Sequence, residues 1–377
     1  MHQRAFLGTV CAAFHLGIAC AFLPAGTLPS SAWRPTHRHV GSSSHRADSS
    51  VLRGGGDVPE GRVAGMAMSA AEGVAENDLY IVGAGYLGKQ IAQQWHEKFP
   101  SAQIYAETRT SLRHEGLMPE GVNFVLRKNR PGAKFHNVVF CAAPKGNPDY
   151  ESEVFLAAAR VWDGKGMFVF TSSGGIFKEK DGGVVTETSP IDSSSIRTNL
   201  LRSAEAMAIG SGGCALRLAG LYSVERGPHG AWLTMDKVEK HPEGLINLLA
   251  YEDAAGAVVA ALIKGRDDPS PLEDSETPQQ VKGRALLAAD DEPTSRRKIC
   301  ELALQHPEHG WKKMPEFMAN GLERWSDGAT KVYDCSETRK VLGWEPRYKS
   351  ITEYFEHHIK HVKEAEAAEA TEPLAPK

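Results

Sequence analysis

The sequence predicts an α/β protein: a doubly wound parallel sheet with a small C-terminal substrate lobe. Three observations lead there. Short apolar segments alternate with helix-period segments from residue 78 onward, the first strand-to-helix junction carries glycines spaced G-x-G-x-x-G, and the alternation gives way after Tyr222 to shorter, turn-rich segments. Strands separated by helices imply parallel pairing with right-handed crossovers, because a parallel neighbour is reached only by a connection long enough to cross the sheet. The chain has 377 residues, enough for one large domain or two modest ones.

The first strand is Leu79-Tyr80-Ile81-Val82, the turn is Gly83-Ala84-Gly85-Tyr86-Leu87-Gly88, and KQIAQQW continues with helical periodicity. In this context Gly83 permits the turn, Gly85 lets a diphosphate approach the backbone, and Gly88 lets the helix pack on the strand. The N–H groups opening the helix, around Tyr86 and Leu87, then face the phosphates. This is the Rossmann dinucleotide fingerprint. The second strand, AQIYAETRT, closes with Thr108 and Arg109. An acidic residue there would hold a ribose 2′-hydroxyl, whereas an Arg would accept a 2′-phosphate. Strand alternation turns Glu107 away and leaves Arg109, so NADP is the expected cofactor, with NAD possible.

GVNFVL, HNVVFCAAP, MFVFTSSGGIF and CALRLAGLY read as further strands, with an Ala-rich helix from Glu151 to Trp162 between the second and third of them. Ligands of such sheets lie outside the carboxyl ends of the strands. Ala142, Ala143 and Pro144, and the pair Ser172 and Ser173, therefore belong beside the cofactor.

At the N-terminus Arg4 precedes an apolar run from Ala5 to Leu23, with Ala19-Cys20-Ala21 offering a small-residue cleavage site. Residues 1–21 read as a signal peptide rather than a membrane anchor, given their Gly, Thr, Cys and His content. From Phe22 to Ala47 there is no acidic residue, while Ser, Arg and His abound. Residues 22–76 thus have the composition of a transit segment and linker. A signal peptide joined to such a segment, with Phe directly after the cut, resembles the bipartite presequence of algae with secondary plastids, which implies plastid import.

The folded body is expected as a dinucleotide-binding core over 77–221, joined by 244–263 and 281–290. The substrate lobe is expected over 222–243 and 291–360, with an acidic, Pro-containing loop at 264–280 and a disordered tail at 361–377. Six cysteines occur, none in a CxxC pair, which suits reduced buried thiols. His357 and His361 have metal-ligand spacing but sit in a run that reads as a solvated C-terminal helix, so no metal is expected. The formal net charge of -4 and the lack of a basic-aromatic pattern exclude a general nucleic-acid binder. No membrane association is expected after processing.

IVGAGYLG, ETRT, VVFCAAP, FTSSGGIF, VTETSP, RSAEA, LRLAGLYSVERGP, INLLAYEDAAGAVVAAL, LLAADDEPTSRRKICELA and VYDCSETRKVLGWEPRY follow in order over residues 78 to 355. In order and spacing they resemble the extended short-chain dehydrogenase/reductase superfamily, within it the epimerase/dehydratase-like proteins. The resemblance implies a lobe closing over the substrate, often a nucleotide sugar, and subunits that pair through helices including the one carrying RSAEA, hence a possible homodimer. It also implies a catalytic Ser, matched by Ser173, and a Tyr-x-x-x-Lys pair whose phenol passes a proton while the nicotinamide passes a hydride. It implies that the Asp253 position begins a helix.

The Tyr-x-x-x-Lys pair is missing. Aligned on Glu205, its positions hold Arg197 and Leu201. A guanidinium with a pKa above ~12 cannot give up a proton near neutrality. Three readings follow. An enzyme would use another donor, such as Tyr222, Tyr86, His229 or a water held by Ser173, with Arg197 or Arg202 binding a small anionic or sugar-like substrate and Arg226 and His229 contributing from the ERGPHG loop. A second possibility is NADP(H) binding without turnover, as a redox-responsive regulator or assembly factor. The third is a scaffold with a vestigial pocket.

Overall fold

The computed structural model describes residues 73–110, 121–268, 280–318 and 331–371. The signal peptide and most of the transit-like segment, the middle of the 264–280 loop and residues 372–377 of the tail lie outside the described residues.

Seven strands form one sheet: β1 (Leu79–Val82), β2 (Ile104–Thr108), β3 (Val122–Leu126), β4 (Phe135–Phe140), β5 (Trp162–Ser173), β6 (Cys214–Leu218) and β7 (Ala285–Ala288). Their order is β7-β6-β5-β4-β1-β2-β3, and every pairing is parallel. The order reverses between β1 and β4. That switch point is where a doubly wound sheet opens a crevice for a ligand.

Period-2 alternation builds the two faces. Leu79, Ile81, Val139, Met167, Val169 and Leu216 point to one side and pack on α1 (Tyr86–Lys98) and α4 (Tyr251–Arg266), through Ile91, Trp95, Val258 and Leu262. Tyr80, Val82, Val138, Phe140, Phe168 and Phe170 point to the other and meet α2 (Tyr150–Arg160) and α3 (Ile196–Gly210) through Val154, Ala157, Leu201 and Ala204. Both faces are covered, which explains why these strands read as nearly continuous apolar runs. Trp95 is fully buried and donates from its indole to the Asn77 carbonyl at 2.8 Å, tying the segment before β1 to α1.

A separate apolar cluster gathers segments of the expected lobe. Tyr222, Val224 and Leu233 meet Ile299 and Ala303 of α5 (Arg296–Leu304) and Ile351 and Phe355 of α7 (Ile351–Thr371). The short helix α6 (Ser336–Leu342) ends on Gly343 in the left-handed region, at φ 60°, where a residue without Cβ carries no steric penalty. Asn247 ties the lobe to the core, donating to the Lys331 carbonyl at 2.7 Å and accepting from the Tyr333 amide at 3.0 Å.

Three local expectations are adjusted. α2 ends at Arg160 and Trp162 opens β5, because its indole is needed against Phe168 in the core. α7 runs on to Thr371, past residue 361, where its Ala- and Glu-rich sequence keeps high helix propensity. Asp253 sits in the first turn of α4 but makes no capping bond there. Its carboxylate accepts instead from the amides of Arg347 (2.7 Å) and Tyr348 (3.2 Å), joining the core helix to the segment before α7.

All four cysteines among the described residues are free thiols. Burial pushes the Cys141 thiol up to about 12. No helix among the described residues is long and apolar enough to cross a membrane, and none of their His, Cys, Asp and Glu side chains group to hold a metal ion.

Candidate dinucleotide-binding site

The turn from β1 into α1 is shaped by its three glycines in different ways. Gly83 has φ 106°, and a Cβ there would lie 2.4 Å from the Ala142 amide nitrogen at the end of β4. A Cβ on Gly88 would lie 2.7 Å from the Gly83 carbonyl. Gly85 differs: its backbone is extended, and a Cβ would meet nothing within 4 Å. Gly83 and Gly88 are thus required by protein contacts, whereas Gly85 faces open space.

The Glu107 carbonyl anchors the turn by accepting from Gly83 (3.0 Å) and Ala84 (3.1 Å). Gly85 donates to the Gly83 carbonyl and no side chain caps α1. The first intrahelical donor is Lys89, bonded to the Gly85 carbonyl at 2.9 Å, which leaves the amides of Tyr86, Leu87 and Gly88 without a backbone acceptor. Three unsatisfied N–H groups at the positive end of a 13-residue helix form an anion cradle, and the open side of Gly85 gives access to it.

The Glu107 side chain turns inward, as strand alternation predicts. It is buried, accepts from both Nε and Nη2 of Arg130 at 2.7 Å each, and accepts from the Tyr80 hydroxyl at 2.8 Å. This satisfied carboxylate is unavailable to a ribose. Burial and the Glu107 charge together push the Tyr80 phenol far above its ordinary range, so it stays a donor. Thr108 bonds the Thr110 carbonyl at 2.9 Å. Arg109 is exposed and stretches across to the loop after β4, donating to the carbonyls of Gly146 (2.6 Å) and Lys145 (3.3 Å). That loop also contains Ala142, Ala143 and Pro144. Its Ala142 carbonyl accepts from Tyr150 at 2.9 Å.

At the end of β5 the two serines part company. Ser172 is buried and donates to Glu205 at 2.6 Å, and Glu205 is gripped by Arg217 through Nε (3.1 Å) and Nη2 (2.8 Å). Its hydroxyl is committed to this buried network. The alternate residue, Ser173, is half-buried and its Oγ accepts from the Gly175 amide at 3.2 Å, leaving its proton free for a ligand. On α3, Arg197 and Arg202 are both exposed.

The loop after Tyr222 closes on the glycine turn. Tyr86 donates to Glu225 at 3.0 Å, Ser223 donates to the same oxygen at 2.9 Å, and the exposed Arg226 guanidinium lies 5.4 Å from the Tyr86 ring centre. Two other expected groups of this loop are in the core. Tyr222 is fully buried, its hydroxyl has no partner, and burial with the nearby Asp290 and Asp253 charges raises its pKa far beyond use as an acid. His229 is also fully buried, donating from Nε2 to the Val224 carbonyl at 3.0 Å, and burial lowers its pKa to about 4. Sequence alone put it on a solvated Gly/Pro loop. The loop folds inward because Phe355 and His309 supply aromatic walls for the imidazole.

Sequence reasoning missed Lys331 and Tyr333. The Tyr333 hydroxyl donates to the Gly174 carbonyl at 2.6 Å and the Lys331 ammonium to the Phe177 carbonyl at 2.8 Å, so both brace the turn that carries Ser173. Gly174 leaves room for the Tyr333 ring, which a Cβ would touch at 2.7 Å. The Tyr333 phenol is raised by burial, and no cation stands among the charges that shift it. Tyr333 and Lys331 therefore do not reconstitute the missing Tyr-Lys relay. The only sequence signal was their place near the VYDCSETRK motif.

No protein-family model matches the chain. No curated protein matches its sequence either. Solved structures do. A functionally unknown conserved protein from Silicibacter pomeroyi aligns with TM-score 0.58 at 19% identity, over 76% of this chain and 99% of its own. A UDP-galactose 4-epimerase aligns with TM-score 0.56 at 15% identity, over 76% and 99%. The dTDP-glucose 4,6-dehydratase of Bacillus anthracis, solved with NAD, aligns with TM-score 0.55 at 14% identity, over 78% and 98%. The chain therefore has the Rossmann-like α/β fold that these solved structures share.

Proposed function

We propose that this chain binds NADP(H) and uses it for oxidoreductase or isomerase chemistry of the epimerase/dehydratase kind on a small anionic or sugar-like substrate. One observation carries the reading: three consecutive amides without acceptors open α1 beside a glycine that faces empty space. Such a cradle, opening a helix directly after the first strand of a Rossmann sheet, suits a diphosphate. The similarity in fold to proteins solved with NAD supports a nicotinamide dinucleotide. Arg109 supports the 2′-phosphorylated form, since among the described residues its guanidinium holds two carbonyls and gains a charge-assisted partner on exchanging them for phosphate.

When bound, the cofactor would supply hydride transfer. Ser173 would orient the substrate oxygen. Arg197, Arg202 and Arg226 are exposed and would read its anionic part. With Tyr222 and His229 in the core and the Tyr86 hydroxyl engaged by Glu225, the proton would come through a water held by Ser173.

A second reading is favoured by the same burial. Among the described residues, the hydrogen-bond partner of the Ser173 hydroxyl is the Gly175 amide and not an acidic side chain, which suits a redox-responsive regulator that binds NADP(H) without turning it over. In either case we propose the plastid as the site of action, from the presequence composition. We also propose a homodimer through α2 and α3, where Phe155, Ile196 and Met207 are exposed.

Fluorescence titration with NADPH and NADH, followed by 340 nm absorbance with a carbonyl panel, tests these readings. Turnover of any substrate supports the enzyme, and tight NADPH binding with a silent panel supports the regulator. If neither nucleotide binds, both are wrong.

A further inference from the structure

Arg109 has a neighbour of the same charge that the glycine turn does not explain. Thr108 and Leu126 form the last rung between the parallel strands β2 and β3, so Arg109 and Arg127 leave the sheet side by side at its C-terminal edge. Adjacent strands lie about 4.8 Å apart, and a parallel sheet takes its ligand at this edge. Arg127 opens a single 3-10 turn, Arg127–Asn129, and Arg130 follows it.

Positive charge accumulates here. Burial lowers the Arg127 pKa, and the Arg130 and Arg109 charges add to the effect against the Glu107 carboxylate. Like charges set side by side repel, and an anion between them relieves the repulsion. Arg130 is already committed to both oxygens of Glu107, at 2.7 Å each. Arg127 pairs with Glu153 on α2, and both of these side chains are partly exposed. Arg109 forms no ion pair among the described residues and rests on the Lys145 and Gly146 carbonyls. Arg109 and Arg127 thus reach toward the same stretch of chain, the connection from β4 into α2.

A phosphate monoester suits this pair better than Glu153 does. It carries about −1.5 to −2 charge at pH 7 and three acceptor oxygens, enough for two forked guanidiniums, whereas one carboxylate carries a single charge and here serves Arg127 alone. We propose that Arg127 is the second arm of the 2′-phosphate site and that Glu153 is its placeholder, holding the guanidinium in position until the phosphate displaces it. This rests on the NADP(H) reading and adds to it a residue that sets the preference for NADPH over NADH and a carboxylate that competes with the ligand.

Nucleotide affinities of the full chain, by fluorescence titration, separate a ligand-binding role from a structural one. Arg127→Ala is expected to weaken NADPH by about tenfold or more, as loss of a charge-assisted hydrogen bond does, and to leave NADH within about twofold. Glu153→Gln keeps the size of the side chain and removes the competing charge, so NADPH is expected to bind about two- to fivefold tighter with NADH unchanged. Loss of a merely structural ion pair would shift both nucleotides together and tighten neither. NADPH binding in Glu153→Gln no tighter than in the parent, or a loss in Arg127→Ala shared equally by NADH, overturns the proposal. Should Arg127→Ala fail to fold, Glu153→Gln alone decides. Arg109→Ala tells the two levels apart. If it abolishes the NADPH preference while the other two variants match the parent, Arg109 holds the phosphate without Arg127: the proposal is overturned and the NADP(H) reading stands. If the parent binds neither nucleotide, or binds both alike, that reading fails and the proposal with it.

Discussion

Substituting alanine at Gly83 and at Gly85 separates what the glycine turn does for the fold from what it does for a ligand. At Gly83 a methyl group would lie 2.4 Å from the Ala142 nitrogen, on a residue with φ 106°. The backbone term alone is about 1–2 kcal/mol for a residue with a Cβ. Forcing a methyl into filled space adds about 1–3 kcal/mol. Gly83→Ala is therefore expected to lose about 2–5 kcal/mol, read as a lower urea midpoint at an unchanged slope. At Gly85 nothing stands within 4 Å and the backbone is extended, so Gly85→Ala is expected to stay within about 1 kcal/mol of the parent, most of that from the poorer N-cap. Its effect falls on binding, because the methyl group occupies the approach to the Tyr86–Gly88 amides. NADPH affinity is expected to drop at least tenfold while the urea curve barely moves. A Gly85→Ala protein that binds NADPH like the parent would refute the placement of the diphosphate, whatever happened at Gly83.

Other outcomes follow from the same structure. Arg109→Ala should weaken NADPH at least tenfold and leave NADH nearly unchanged, since Glu107 is locked to Arg130 and no ribose contact is lost; equal losses for both nucleotides contradict the 2′-phosphate assignment. Arg217→Met leaves Glu205 charged and buried without its partner, and is expected to lose about 3–5 kcal/mol in urea unfolding. Its recovery in the Arg217→Met, Glu205→Leu double variant would show that the penalty is the stranded charge. His229 has its pKa lowered from 6.5 to about 4, so the folded state resists protonation. Its contribution is complete above pH 6.5 and is lost as pH falls toward 4, because there the unfolded chain binds the extra proton. The loss reaches about 3 kcal/mol from this group. His229→Gln should flatten the stability profile between pH 6.5 and 4, and an unchanged slope would mean another group sets it.

The layout of the core was legible because its determinants are local. LYIV followed by three spaced glycines states a strand, a turn and a helix start within ten residues, and period-2 alternation at Glu107 placed its side chain inside before any contact was known. The same rule separates Ser172 from Ser173, although the sequence reads as setting the pair together beside the cofactor: Ser172 points into the core and is committed to Glu205. The lobe was less legible. Whether His229 points to water or to Phe355 depends on a helix over 120 residues downstream, and nothing in ERGPHG encodes it. Tyr222 was misread as a donor because its strand context does not reveal that α7 covers it; its ring meets Tyr354 at 5.1 Å. Lys331 and Tyr333 brace the Ser173 turn from more than 150 residues away, contacts that only the folded chain brings together.

Titration of the chain with NADPH by fluorescence, with and without competing NADH, bears most directly on the claim that bared helix-start amides hold a dinucleotide. The account predicts saturable one-to-one binding with NADPH preferred. Absence of saturable binding by either nucleotide would contradict it.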